Sequence, residues 1–111
     1  MSGYGLVVRF VIKPGREQEF DDLVAATLVG LRDREPGTLV YTSHSVQGGP
    51  NLRVFYELYA DRAAFEAHEA QEHVQHFLDA RDELVESFTV DFLDLVDGKV
   101  DGKVDRKTAQ G

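Results

Sequence analysis

The apolar residues of this chain change period at Pro14-Gly15, and that change limits the fold more than any other feature. Before it, residues 6–13 alternate, with Leu6, Val8, Phe10 and Ile12 on one side and Val7, Arg9, Val11 and Lys13 on the other. Alternation at period two with one wholly apolar face predicts a half-buried β-strand. Proline cannot donate to a strand ladder and glycine relaxes the turn, so the strand ends there. Beyond it, Phe20, Leu23, Val24, Thr27, Leu28 and Leu31 recur at helical spacing through residues 16–34. Glu17, Glu19, Asp21 and Asp22 load the first turns and Arg32 and Arg34 the last, the distribution a helix dipole favours. Pro36-Gly37 stops the helix.

Two β-rich runs follow, residues 38–46 and 51–59, flanking the turn-forming cluster Gln47-Gly48-Gly49-Pro50. They predict a hairpin. The second run alternates as Leu52, Val54, Tyr56 and Leu58 against Asn51, Arg53, Phe55, Glu57 and Tyr59, and the side of Val54 and Tyr56 is expected to face the helices. Asp61 is a strong N-cap, because its carboxylate can accept from the free N–H groups of a first turn. A helix starting there puts Phe65 and His68 on one face, so His68 points inward with Phe65. A kink near Ala70-Gln71 and a second stripe of Val74, Phe77, Leu78, Arg81 and Val85 come next. Residues 88–96 form a last strand, with Phe88, Val90, Phe92 and Val96 on one side and Leu93 and Leu95 on the other.

The order is βαββαβ, an α+β ferredoxin-like fold in which helices cover one face of a four-stranded antiparallel sheet. The other face is expected to carry Val7, Val11, Val40, Val46, Phe55, Tyr59, Leu93 and Leu95, too much apolar surface to leave in water. A second copy packed sheet to sheet covers it most economically, which predicts a homodimer.

The 111 residues divide into one domain, 1–96, and a charged, glycine-containing tail, 97–111. In the tail, VDGKVDGKV spaces Asp97, Asp101 and Asp105 unlike the ligands of a calcium loop. No apolar run approaches the roughly 20 residues of a membrane span, and the first residues lack the pattern of a secretion signal. The absence of cysteine removes thiolate chemistry and suits a reducing compartment. These features predict a cytoplasmic protein with no membrane partner. The net charge is −8; the tail contributes four basic and three acidic groups, a net of +1, which leaves −9 on residues 1–96. Such a field repels phosphate backbones, so nucleic acid is not expected as a partner.

Several residues in order carry a further signal: Val8-Arg9-Phe10 leading to Lys13-Pro14-Gly15 and Phe20; Glu35-Pro36-Gly37 then Tyr41; Tyr56-Glu57-Leu58-Tyr59, then Phe65, His68, His73 and Phe77. Over residues 6–96 this set resembles the antibiotic biosynthesis monooxygenase (ABM) domain family of dimeric α+β barrel proteins. The resemblance implies a monooxygenase that needs no cofactor and no metal. Haem-degrading relatives carry Asn, Trp and His where this chain has Val8, His68 and Leu78, and the chain has no Trp at all. The implied substrate is therefore a small quinol or phenolic aromatic rather than haem or a large polyketide.

Ground-state oxygen is a triplet and reacts slowly with closed-shell molecules, so the substrate must supply an electron, which a phenol does best as its anion. Such chemistry needs a base near neutral pKa, a dry aromatic pocket and donors for a developing oxyanion. His68 is the candidate base. Tyr41 and Tyr56 are expected to position the ring, with His73 at the pocket mouth and Phe10 and Phe65 among its walls. His44 and His76 are read as surface or dimer-interface groups, and His73 with His76 makes a weak metal pair. Glu57 is expected to pair near the dimer interface. The alternatives are a non-catalytic protein of this fold that binds a small aromatic or a partner, and an oxygen-independent isomerase using the same base. A space closed by Phe10, Phe65 and Phe77 favours the non-catalytic reading; an open cavity reached by His68 favours catalysis.

Overall fold

A computed structural model of the chain describes residues 3–100. Its elements are β1 (Tyr4–Ile12), α1 (Glu17–Arg34), β2 (Thr38–Val46), β3 (Gly49–Tyr59), α2 (Arg62–Glu69), α3 (Glu72–Arg81) and β4 (Val85–Asp94). The strands pair antiparallel in the order β2-β3-β1-β4. This is the α+β ferredoxin-like arrangement, with its second helix divided at Ala70-Gln71. Val85, expected in the helical stripe, instead opens β4. The hairpin turn is tighter than the four-residue cluster suggests: Gly48, at φ 80°, lets the chain reverse so that Gly49 already pairs with Val46. Residues 101–111, most of the expected 97–111 tail and its repeat, lie outside the described residues. Among the described residues no helix is long and apolar enough to cross a membrane.

The helical period of α1 delivers Phe20, Val24, Thr27 and Leu31 to the core. Thr27 is tolerated there because its hydroxyl donates to the Leu23 carbonyl at 2.8 Å. Opposite them stand Leu6, Val8, Phe10 and Ile12 of β1. Phe10 lies at the centre, with ring centroids 5.2 Å from Phe20 and 5.0 Å from Phe55, in the tilted and edge-on geometries that aromatic quadrupoles prefer.

The faces of β3 are reversed from the sequence expectation. Arg53, Phe55, Glu57 and Tyr59 lie beneath the helices, with Phe55 1% and Tyr59 0% exposed, while Tyr56 is 36% exposed on the outer face. Register is the cause. Leu6, Val8 and Phe10 pair with Glu57, Phe55 and Arg53, and directly paired residues share a face. Both sides of β3 are apolar enough to be core, and the charges of Arg53 and Glu57 make the true inner side look wet. Each is accommodated by a partner: Arg53 donates to both carboxylate oxygens of Asp21 at 2.9 Å, and Glu57 accepts from the Tyr59 hydroxyl at 2.6 Å. The outer face therefore carries Val7, Val11, Val40, Val54, Tyr56 and Leu93, without Phe55 or Tyr59.

Candidate active site

Pro36 shapes the site from outside it. A proline disfavours helical geometry in the residue before it, and Glu35 leaves α1 at φ −126° and ψ 73°. Its carboxylate turns inward and is buried. An anion at a helix C-terminus opposes the dipole, so this placement needs compensating donors. Three supply it. Thr38 Oγ1 and His68 Nδ1 each lie 2.7 Å from Oε1, and His73 Nε2 contacts Oε2. Burial raises the Glu35 carboxyl, but the bonds from Thr38, His68 and His73 outweigh it and hold the carboxyl below its ordinary value.

His68 comes from the last turn of α2, which starts where Asp61 accepts from the Ala64 N–H at 2.8 Å. The imidazole is 4% exposed and packs against Tyr41, Tyr59 and Phe65 at centroid distances of 5.5, 5.0 and 6.4 Å. Burial lowers its pKa and prevails over the opposing pull of Glu35. The pair is therefore an ionised carboxylate and a neutral imidazole. A carboxylate only accepts, so Nδ1 carries the proton and Nε2 keeps its lone pair. The same reasoning gives His73 its proton on Nε2, and its Nδ1 is buried without a partner among the described residues.

Between the sheet and the paired helices α2 and α3 is an open cavity of about 270 Å³. His68, Tyr41 and Glu57 reach it between aromatic walls that include Phe10 and Phe65, and Arg81 lines it as well. Phe88, Val90 and Phe92 of β4 face the cavity and remain 40%, 39% and 60% exposed. Burial pushes Tyr41 well above the usual phenol range, reinforced by Glu57 and Glu35, so it stays a hydrogen-bond donor. Glu57 is pushed up to about 7, chiefly by burial and against the bond from Tyr59. One cavity thus holds a neutral imidazole lone pair, a phenol and a carboxyl that is partly protonated near neutrality. That set can take a proton from a hydroxyl and hold the oxyanion left behind.

The profile of the antibiotic biosynthesis monooxygenase family matches residues 3–80. The chain belongs to this family. Solved structures agree in fold. A protein from Shewanella oneidensis is 30% identical, with a TM-score of 0.76 over 83% of this chain and 89% of that one. A candidate antibiotic biosynthesis monooxygenase from Caulobacter crescentus CB15 is 22% identical, with a TM-score of 0.81 over 86% and 92%. A Pseudomonas aeruginosa protein is 24% identical, with a TM-score of 0.78 over 87% and 97%. No functionally curated protein matches the chain.

In this ABM chain the cavity gathers His68, Tyr41, Phe10 and Phe65 but not two other residues expected beside them. Tyr56 points to the outer sheet face, for the reason of register given above. His73 stands behind Glu35, where α3 crosses α1, rather than at a pocket mouth. Glu57, expected near a dimer interface, is in the cavity instead. His76 is exposed, and His44 is an exposed partner of Thr42 at 2.8 Å. Among the described residues no group of three His, Asp or Glu side chains is arranged to hold a metal ion. Glu35, Glu57 and Arg81 were not legible as site residues. Glu35 alone leaves a local signal, a carboxylate at the unfavourable end of a helix.

Two outcomes follow from the packing. A Cβ on Gly30 of α1 would overlap the His73 ring. Helix propensity favours alanine by about 1 kcal/mol, yet Gly30→Ala is expected to destabilise the fold by about 1–3 kcal/mol, as read by urea denaturation. Glu57 resists ionisation in the fold, so the stability it contributes below the ordinary value of 4.5 is lost as pH rises towards about 7. Glu57→Gln is therefore expected to raise stability above neutral pH by about 2–4 kcal/mol and to change it little in acid. An equal effect at both pH values would contradict this origin.

Proposed function

We propose that this ABM protein is a cofactor-independent monooxygenase that inserts one atom of O₂ into a small quinol or phenol. The observation that carries the reading is the open cavity reached by a neutral His68 whose other nitrogen is held by an ionised Glu35. A cavity of about 150 Å³ accepts benzene, so 270 Å³ suits one or two fused rings. His68 Nε2 takes the phenolic proton, and the ring anion passes an electron to O₂. Carbon–oxygen bond formation then gives a ring peroxide, and Glu57 returns a proton to it. Transfer of the ring C–H proton to the Glu57 carboxylate breaks the O–O bond, and the hydroxide released leaves as water with the proton held by His68. For hydroquinone the balance is one quinol and one O₂ to one hydroxyquinone and one water. Tyr41 holds the oxyanion while Phe10 and Phe65 keep the ring dry.

The apolar outer sheet face supports a homodimer, with a second copy packed on Val7, Val40, Val54 and Tyr56. The lack of cysteine suits a cytoplasmic setting.

The test is oxygen uptake with a panel of reduced quinones, corrected by a protein-free blank, with product analysis. Protein-dependent uptake giving one hydroxyquinone per O₂, absent in a folded His68→Ala variant, is the expected result. Uptake equal to the blank across the panel would contradict it. Substrate turnover under argon would instead favour the isomerase, which the partly protonated Glu57 opposite a free base would also serve.

A further inference from the structure

We propose that the cavity selects aromatic substrates that carry a carboxylate, and that Arg81 is the residue that selects them. The assignment rests on reading the cavity as the binding site of a small aromatic, and not on oxygen being the co-substrate.

Arg81 closes α3 and is the one Lys or Arg lining the cavity among the described residues. Its side chain is only 19% exposed, yet its ion contact is Nε to Asp82 Oδ1 at 3.8 Å, and Asp82 is itself 80% exposed. That distance is too long for a hydrogen bond, and a pair so open to water contributes little. The guanidinium lies 4.2 Å from the Phe88 ring centroid and 5.9 Å from that of Phe10. The helix dipole and these two rings account for a cation at this position. Neither supplies a hydrogen-bond acceptor, and among the described residues the Arg81 side chain donates no hydrogen bond, so its N–H groups are left to water or to a ligand.

The Arg81 nitrogens are not sealed from solvent in the open cavity, so a ligand with the right acceptors can displace water from them. A planar carboxylate is the partner that matches a guanidinium fork, through two parallel hydrogen bonds. Glu57 and Glu69 also line the cavity, so among its charged lining groups Arg81 is the one that favours an anion. His68 and Tyr41 lie together, 5.5 Å apart, and their polar atoms suit a hydroxyl. A ring with a hydroxyl at His68 and a carboxylate at Arg81 would satisfy both groups at once. A neutral quinol would leave the guanidinium unpaired.

The matched probes are 2,5-dihydroxybenzoate and hydroquinone, which differ by the carboxylate. Their binding to the full chain is measured calorimetrically under argon, so that neither turnover nor autoxidation enters. Wild type is expected to bind the carboxylate about ten- to a hundredfold more tightly, the range of a charge-assisted hydrogen bond. Arg81→Met keeps the apolar stem and is expected to abolish the preference, with hydroquinone affinity little changed; Arg81→Lys is expected to retain part of it. Thermal unfolding of each variant confirms a folded sample, and Arg81→Lys stands in if the methionine variant does not fold. Equal affinities in wild type, a preference that survives Arg81→Met, or no measurable binding of either probe would overturn the proposal. A carboxylate preference without oxygen uptake would retain Arg81 and reject the oxygenase; uptake without the preference would do the reverse.

Discussion

Replacing His68 by glutamine is expected to lower turnover by about 10²–10⁴-fold, the usual contribution of a positioned general base, while leaving the domain folded. Glutamine can still donate to Glu35 and largely fills the space among Tyr41, Tyr59 and Phe65. What it lacks is the Nε2 lone pair. The loss should therefore fall on kcat, with KM changing far less. The pH profile gives a second reading. Burial holds the His68 pKa below its ordinary 6.5, so wild-type activity should persist below that value and fall only as the imidazole takes a proton. In the variant the residual rate should lack this acid limb. A small loss confined to KM would make His68 a wall of the cavity and nothing more.

Glu35→Ala is expected to cost about 3–5 kcal/mol, as when one member of a buried ion network is removed. Three donors converge on its carboxylate, Thr38 from β2, His68 from α2 and His73 from α3. Glu35 titrates lower in the folded chain than in the unfolded one. Its stabilisation is thus complete above the ordinary carboxylate value of 4.5 and is lost as pH falls through the folded value. His68 acts in the same direction at higher pH: its neutral form contributes fully above 6.5, and that contribution is lost as pH falls towards its lower folded value. Urea denaturation of wild type and variant at neutral pH and in acid reads the effect. The difference should be largest at neutral pH and shrink in acid. A gap that does not change with pH would assign Glu35 a packing role independent of charge.

Much of the scaffold could be read from residues close in sequence. The clean alternation of β1, the stripe of α1, the Asp61 cap and the break at Ala70-Gln71 are local features, and each stands where local chemistry puts it. The faces of β3 could not be read in that way. Leu52, Val54, Tyr56 and Leu58 compete evenly with Phe55 and Tyr59 for the core, and only pairing with β1 decides between them. For that reason Tyr56 stands on the outer face and Glu57 on the inner one, the reverse of what alternation alone suggests. The inward turn of His68 followed from helical spacing with Phe65. Its partnership with Glu35 spans 33 residues, and a carboxylate ahead of Pro-Gly looks like an ordinary helix end until its three donors are seen together. The cavity is least legible of all, because it is the space left between elements and no single residue encodes it.

The state of His68 tests the central claim most directly, because the proposed chemistry depends on it and no substrate is needed to measure it. Two-bond nitrogen–proton correlation spectra of ¹⁵N-labelled protein report both ring nitrogens through a pH titration. The predicted result is a neutral ring at neutral pH with the proton on Nδ1, a bare Nε2, and a titration midpoint below 6.5. A proton on Nε2, or a midpoint in the folded protein at or above 6.5, would contradict the account.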